Sequence, residues 1–534
     1  MTRVGLEPTT YGLKSEAASL VTETLPQPVI QRSLALRRRV RCPVRATEGA
    51  LEMNRSRLPL RIVLCLLVVA VALPLPARAQ RTDANPTLDR ETIAELDRIF
   101  THFGNSTPGA AVVVMQDGRI AYEAGHGMAN LEYNVPIMPA STFHVASVSK
   151  QFAAMSVVLL ALEGELGLDD DIRDYIPEVP DFGPTITIRH LLNHTSGLRD
   201  QWSLLGLAGW RANDVKTQDD ILDLVSRQRA LNFEPGAEYL YCNTGFTLLA
   251  ILVSRVTGQP MKEFARERIF EPLGMNDTHF HDDIGHIVPG RTYAYSPQQG
   301  GFRINIPDFE NYGATSLFTS APDLARWSNN FSHRRVGGEA GLAMLLTRGV
   351  LNDGEEIDYA LGIQHSSYRG LRTVGHGGSD AGYRSQFTTY PDQGIAVIVL
   401  SNVANGNPGA LARQVADVVL ADAFTEEAPR GGRGGGPPQQ QQQERPPELS
   451  EQELAGYVGA YHSVELDVSY EIAMNDGSLV VRRRKFDDRK MNPAGDDLFN
   501  AGQRYQFTRD DRGRVDGFEL TTGRVRNLRF ERVE

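Results

Sequence analysis

The chain has 534 residues, 41% of them hydrophobic and 23% charged, which suits a soluble globular protein of two or three domains. Residues 1–79 hold 12 basic and 5 acidic side chains, or +7, so the remainder carries −18 of the net −11. An acidic body excludes nucleic acid as the main partner, because phosphate binding needs clustered Lys and Arg.

Residues 1–52 show no sustained periodicity and read as a non-native N-terminal extension. Residues 53–79 read as a bacterial-type signal peptide. Arg55, Arg57 and Arg61 precede an apolar run from Ile62 to Leu75, and Ala77-Arg78-Ala79 offers a small-x-small cleavage site before Gln80. The run has 14 residues, fewer than the roughly 20 of a spanning helix. The expectation is an exported protein, periplasmic or extracellular, with no stable membrane anchor after cleavage. Of Cys42, Cys65 and Cys242, only the last then remains, and it reads as a small buried residue.

A domain-sized segment follows at 91–424. Glu91 to Phe103 is amphipathic and predicts a helix. Gly109–Met115 and Arg119–Ala124 predict a hairpin turning at Asp117-Gly118. Ser147 to Glu163 is almost wholly apolar past Gln151 and predicts a buried central helix. Gly245–Val256 and Ala321–Asn330 predict further helices. Near the end, YALGIQH, RTVGHGG, RSQFTTY and IAVIVLSN read as consecutive strands, and Ala410–Phe424 as a closing helix. Strands at both ends with helices between predict one sheet assembled from distant parts of the chain. Residues 425–447 are a Gly/Pro/Gln-rich linker, and 448–534 a small β-rich unit with a hairpin at Asn475-Asp476-Gly477.

The chemistry starts at Ser147-Val148-Ser149-Lys150. Lysine is scarce, and of Lys14, Lys150, Lys216, Lys262, Lys485 and Lys490 only Lys150 has a serine three residues earlier. Positions i and i+3 share one helix face. Burial at the first turn of an apolar helix lowers an ammonium pKa, which makes Lys150 available as a base for the Ser147 hydroxyl. Two motifs follow in order: Tyr241-Cys242-Asn243, 94 residues after Ser147, and His376-Gly377-Gly378 at the end of a strand. No Gly-x-Ser-x-Gly elbow, Walker loop, His-Glu-x-x-His or Cys-x-x-Cys is present.

This set resembles the serine β-lactamase and penicillin-binding-protein-like family, specifically the class C-related hydrolases that include D-peptidases and esterases. The resemblance extends to LLNHTSGL (Leu191–Leu198), the FEPG loop and LFTSAPDLARW (Leu317–Trp327). It implies an α+β, β-lactamase/transpeptidase-like fold: an antiparallel sheet with flanking helices and a helical insertion, followed by a small C-terminal all-β domain. It further implies an exported serine hydrolase that cleaves an amide or ester bond of a small-molecule or peptide substrate, such as a cell-wall fragment, and uses no cofactor or metal. Ser147 would form the acyl-enzyme, with Lys150 and Tyr241 moving protons and Asn243 holding substrate and lysine. The Ser147 and Ser379 backbone N–H groups would form the oxyanion hole, and Gly377 and Gly378 would leave the strand edge clear for substrate. By resemblance Tyr241 activates the deacylating water, its phenol pKa depressed by Lys150. The alternative is a weak relative that binds peptides or wall fragments, with the C-terminal unit as recognition module.

His376 stands where lactamases carry lysine. A histidine there predicts activity toward carboxylate-bearing substrates that rises as pH falls through its pKa, with Arg384 as another source of charge. His279, His281 and His286 match no catalytic zinc spacing, Asp169-Asp170-Asp171 reads as a capping run, and His194 as a loop-bonding residue.

Overall fold

The computed structural model describes residues 88–427 and 449–533. The expected extension and signal peptide, and most of the expected linker, lie outside the described residues. Helix α1 (Arg90–Ile99) begins where the Asp89 carboxylate accepts the Thr92 N–H at 2.8 Å. Strands β1 (Ala110–Gln116) and β2 (Arg119–His126) turn at Asp117 and Gly118. Both have positive φ, 49° and 77°, the requirement of the tight hairpin turn that an Asp-Gly pair satisfies.

After the inserted helices come β3 (Gln364–Tyr368), β4 (Leu371–Asp380), β5 (Tyr383–Tyr390) and β6 (Ile395–Ser401). The six strands form one antiparallel sheet in the order β3-β4-β5-β6-β1-β2. Strand β1 pairs with β6 from Ala110↔Ser401 to Gln116↔Ile395, so the N-terminal hairpin closes onto the last strand. The expected strand over YALGIQH begins late, at Gln364, because Gly362 sits at φ 70° in a turn that Ala360 and Ile363 anchor in a small core.

Side-chain alternation puts this sheet between two helical layers. Val112, Val114, Val397 and Val399 pack against α1 and the closing helix α6 (Pro408–Val419), through Leu96, Phe100, Leu411 and Val415. Their neighbours Ala111, Val113, Met115, Ile398 and Leu400 enter the larger core on the opposite face. That core holds α2 (Lys150–Glu163), buried from Lys150 to Leu160, together with α3 (Gln201–Leu207), α4 (Asn243–Thr257) and α5 (Ala321–His333).

Residues 459–533 form a second, nine-stranded antiparallel sheet. Its strands are β7 (Gly459–Ser463), β8 (Val468–Asn475), β9 (Ser478–Arg482), β10 (Arg489–Lys490), β11 (Asn492–Gly495), β12 (Leu498–Asn500), β13 (Arg504–Arg509), β14 (Val515–Thr522) and β15 (Val525–Val533). The β8–β9 turn is Asp476-Gly477, since Asn475 pairs with Ser478.

This sheet docks through polar groups withdrawn from water. Arg199 is fully buried and ion-pairs with the equally buried Glu465. Its guanidinium also donates to the Arg526 carbonyl at 2.9 Å and the Asn527 carbonyl at 3.2 Å. The Tyr470 hydroxyl donates to the Leu207 carbonyl at 2.7 Å. Removing one member of a buried pair strands the other charge. Glu465→Leu should therefore lower unfolding stability by about 3 kcal/mol in a denaturant melt, whereas Arg199→Met with Glu465→Leu should recover much of the loss. A loss below about 1 kcal/mol in the single variant would count against this docking role.

Candidate active site

Ser147 is presented by an unusual backbone. Ala146 has φ 49°, a conformation an alanine adopts only under constraint, and Ala146–Ser149 form a 3₁₀ turn leading directly into α2. The constraint comes from three sides. The Ala146 N–H donates to His144 Nδ1 at 3.2 Å. The Ser149 hydroxyl bridges the Ala146 carbonyl and the Leu317 N–H. Strand β4 packs so closely that a Cβ on Gly378 would collide with the Val145 carbonyl oxygen. Gly378 is thus required by packing beneath Ser147.

Lys150 is fully buried, and its ammonium reaches three acceptors: Ser147 Oγ at 3.2 Å, Asn243 Oδ1 at 2.9 Å and the Ala314 carbonyl at 2.7 Å. That matches its three N–H donors. Burial pulls its pKa down to about 7, although Asp380 and Asp200 oppose the shift. The amide of Asn243 cannot flip, because its Nδ2 donates to Asp200 Oδ2 at 2.7 Å. Two of the lysine's partners are therefore acceptors only. A neutral Lys150 keeps N–H bonds to both and turns its lone pair toward Ser147, where it can accept the hydroxyl proton.

Tyr241 lies on the same side, with the Lys150 ammonium 4.9 Å and the Arg524 guanidinium 4.7 Å from its ring centroid. Its buried hydroxyl has no hydrogen-bond partner among the described residues, and its polar neighbour is Ser147. Burial pushes the phenol well above its ordinary pKa; Ser147 and Arg524 offset this only in part. This overturns the expectation of a phenol depressed by Lys150: Tyr241 is a neutral phenol near pH 7.

His376 needs a similar correction. Its Nδ1 donates to the Gly377 carbonyl at 2.6 Å, so Nε2 accepts from the Tyr359 hydroxyl at 2.9 Å. Burial, reinforced by Lys150, lowers its pKa to about 4. Both ring nitrogens are engaged and the ring is neutral, so its side chain is not a titrating carboxylate receptor. Beyond Gly375, the last partner of β3, no strand among the described residues pairs with the edge of β4 from His376 to Asp380, and Ser379 is exposed there. Asp380, whose carboxyl is raised by burial, accepts from Thr315. The Arg384 guanidinium donates to the carbonyls of its own turn, Ala381 at 2.9 Å and Tyr383 at 2.6 Å.

Ser147, Tyr241, Asn243, His376, Gly377, Gly378 and Ser379 thus meet in one cleft of about 640 Å³, with Lys150 beneath it. Trp202, Asp380 and Arg524 also line it, and none of these was identified from sequence. Asp200 was missed as well, although it accepts from both the N–H and the side chain of Asn243. Cys242 is buried with its pKa raised to about 12, and its N–H donates to His194 Nδ1 at 3.1 Å. Among the described residues no group of three or more His, Cys, Asp or Glu could hold a metal ion; His279 and His281 approach each other at 3.4 Å.

The profile of the β-lactamase family matches residues 96–421. Penicillin-binding protein 4* of Bacillus subtilis is 31% identical over 54% of this chain and 67% of its own length. A D-aminopeptidase of Cereibacter sphaeroides is 29% identical over 65% of this chain and 66% of its own. The chain thus spans about two thirds of the length of these relatives. Among solved structures, an octameric penicillin-binding protein homologue from Pyrococcus abyssi superposes with a TM-score of 0.53 at 22% identity, over 83% of this chain and 98% of that one. A D-amino acid amidase from Ochrobactrum anthropi gives 0.52 at 20% identity, over 62% and 99%. With a family match across most of the hydrolase-sized segment and the same fold in its structural neighbours, the chain belongs to the β-lactamase family of serine hydrolases.

Proposed function

We propose that this protein hydrolyses an amide bond of a small peptide-like substrate through an acyl-enzyme on Ser147, with esters as further substrates. The observation that carries this is the buried Lys150, whose two acceptor-only partners leave its lone pair for Ser147 Oγ. In the first step the hydroxyl proton passes to neutral Lys150 as Oγ bonds to the substrate carbonyl carbon. The Ser147 and Ser379 backbone N–H groups take the developing oxyanion. As the C–N bond breaks, the neutral Tyr241 phenol protonates the leaving nitrogen and recovers a proton from the Lys150 ammonium. Water then attacks the ester, gives a proton back through the same two groups, and releases the acid with Ser147 restored. Asn243 holds Lys150 in register and offers its amide to substrate. The names of the D-aminopeptidase relatives favour a D-configured residue on the acyl side.

Fluorophosphonate should add one covalent mass at Ser147 and none to Ser147→Ala, whose amidase rate should fall at least about 10³-fold. A folded wild type that stays unlabelled would instead support a binding role.

The base must be unprotonated, and the neutral fraction of Lys150 rises with pH through about 7. The kcat/KM of the wild type should therefore climb below that pH and level off above it, with no inflection from His376 between pH 5 and 9. An acid limb centred near pH 4 to 5 would argue against Lys150 as base.

We also propose export directed by the Met53–Ala79 segment, which the charged, apolar and small-residue pattern supports. Expression in a Gram-negative host should yield a periplasmic product starting at Gln80; cytoplasmic protein retaining Met53 would refute this.

A further inference from the structure

The cleft receives one residue from far along the chain. Strands β14 and β15 pair through Thr522↔Val525, so Gly523 and Arg524 are the tip of their hairpin. The hydrolase core holds that tip by its backbone. The Arg524 carbonyl accepts from the Asp200 N–H at 3.3 Å and from Asn232 Nδ2 at 3.0 Å. The Arg526 N–H donates to Asn232 Oδ1 at 2.8 Å, and the Arg526 guanidinium pairs with Glu238 at 2.9 Å. The Arg524 side chain extends from this fixed base into the cleft that contains Ser147.

There its guanidinium is a cation with unspent donors. It lies over the Tyr241 ring and forms an ion pair with Asp200 Oδ2 at 3.6 Å, too long for a hydrogen bond, and its side chain is 41% exposed. Asp200 Oδ2 already accepts two bonds from Asn243, at 2.8 and 2.7 Å. Among the described residues lining the cleft, the other permanent cation is Arg384, which is occupied by its own turn. An arginine fork matches a carboxylate in two parallel bonds and repels an ammonium.

We propose that Arg524, carried into the cleft by the C-terminal sheet, is the binding residue for a carboxylate on the substrate. The inference rests on the hydrolase reading for the word substrate, and it deepens that reading. It selects an acidic peptide-like ligand over one whose free amino group would occupy the same position.

Binding can be measured without turnover in the full chain carrying Ser147→Ala. Calorimetry at low salt would compare N-acetyl-D-alanyl-D-alanine with its C-terminal amide, and N-succinyl-D-alanine amide with N-acetyl-D-alanine amide. In at least one pair the acid should bind about tenfold more tightly or better. Arg524→Ala and Arg524→Gln should erase that preference, Arg524→Lys should keep part of it, and Arg524→Glu should reverse it. The melting temperature of each variant reports whether it is folded. No preference for the acid in either pair would overturn the proposal. So would an unchanged preference in folded Arg524→Gln, or an equal weakening of acid and amide, which would mark Arg524 as a support for Tyr241. Fluorophosphonate labelling of the wild type decides the hydrolase reading separately, since the binding comparison requires no catalysis.

Discussion

An ammonium withdrawn from water must find an acceptor for each of its protons, and the architecture around the cleft is arranged to meet that demand for Lys150. The Ala314 carbonyl, the Asn243 side chain and Ser147 Oγ come from three separated stretches of chain. Each must be held to within a few tenths of an ångström. The Asn243 amide is held by Asp200, Ser147 by the strained turn at Ala146, and that turn by Ser149 and by β4 packed behind it. Loss of any of these would leave a buried charge short of a partner, a costlier fault than an ordinary broken hydrogen bond. The same burial lowers the lysine's pKa to about 7, so the feature that threatens stability also suits it to the proposed role as base.

Asp200 links this network to the rest of the molecule. One oxygen caps α3 through the Trp202 N–H at 3.1 Å, the other fixes Asn243, and its own N–H meets the hairpin tip. Its neighbour Arg199 reaches the opposite way, into the buried pair with Glu465. Two adjacent residues thus join the interior of the hydrolase unit to the interface with the second sheet. The second sheet shares the larger apolar core, and the buried polar bonds beside it fix register through directions that apolar packing alone would leave loose.

Much of this was legible in the sequence. The continuous apolar runs around Val112–Met115 and IAVIVLSN read as strands, and the ordered motifs pointed to Ser147, Lys150, Tyr241, Asn243 and His376 as one site. Three kinds of information were not legible. Protonation was one: the same tyrosine and histidine can be ionised or neutral, and which holds depends on burial and on partners such as Tyr359, 17 residues from His376. Backbone strain was another, because an alanine at φ 49° has no compositional signature. Long-range docking was the third. Arg524 sits in an ordinary TTGRV turn, and no local rule indicates that it approaches a tyrosine 283 positions earlier.

The hairpin tip at Gly523-Arg524 also divides the labour of the molecule along its chain. The groups proposed to make and break bonds lie between Ser147 and Tyr241, within the buried core. Arg524, the group proposed to meet the ligand's charge, stands on a turn at the far end, held by its backbone and resting against Tyr241 and Asp200. A substitution at that tip would change the charge presented to the ligand, and it would also reach Tyr241 and Lys150, both of which feel the Arg524 cation. Recognition and reactivity are thereby tied to each other through one side chain at the end of the molecule.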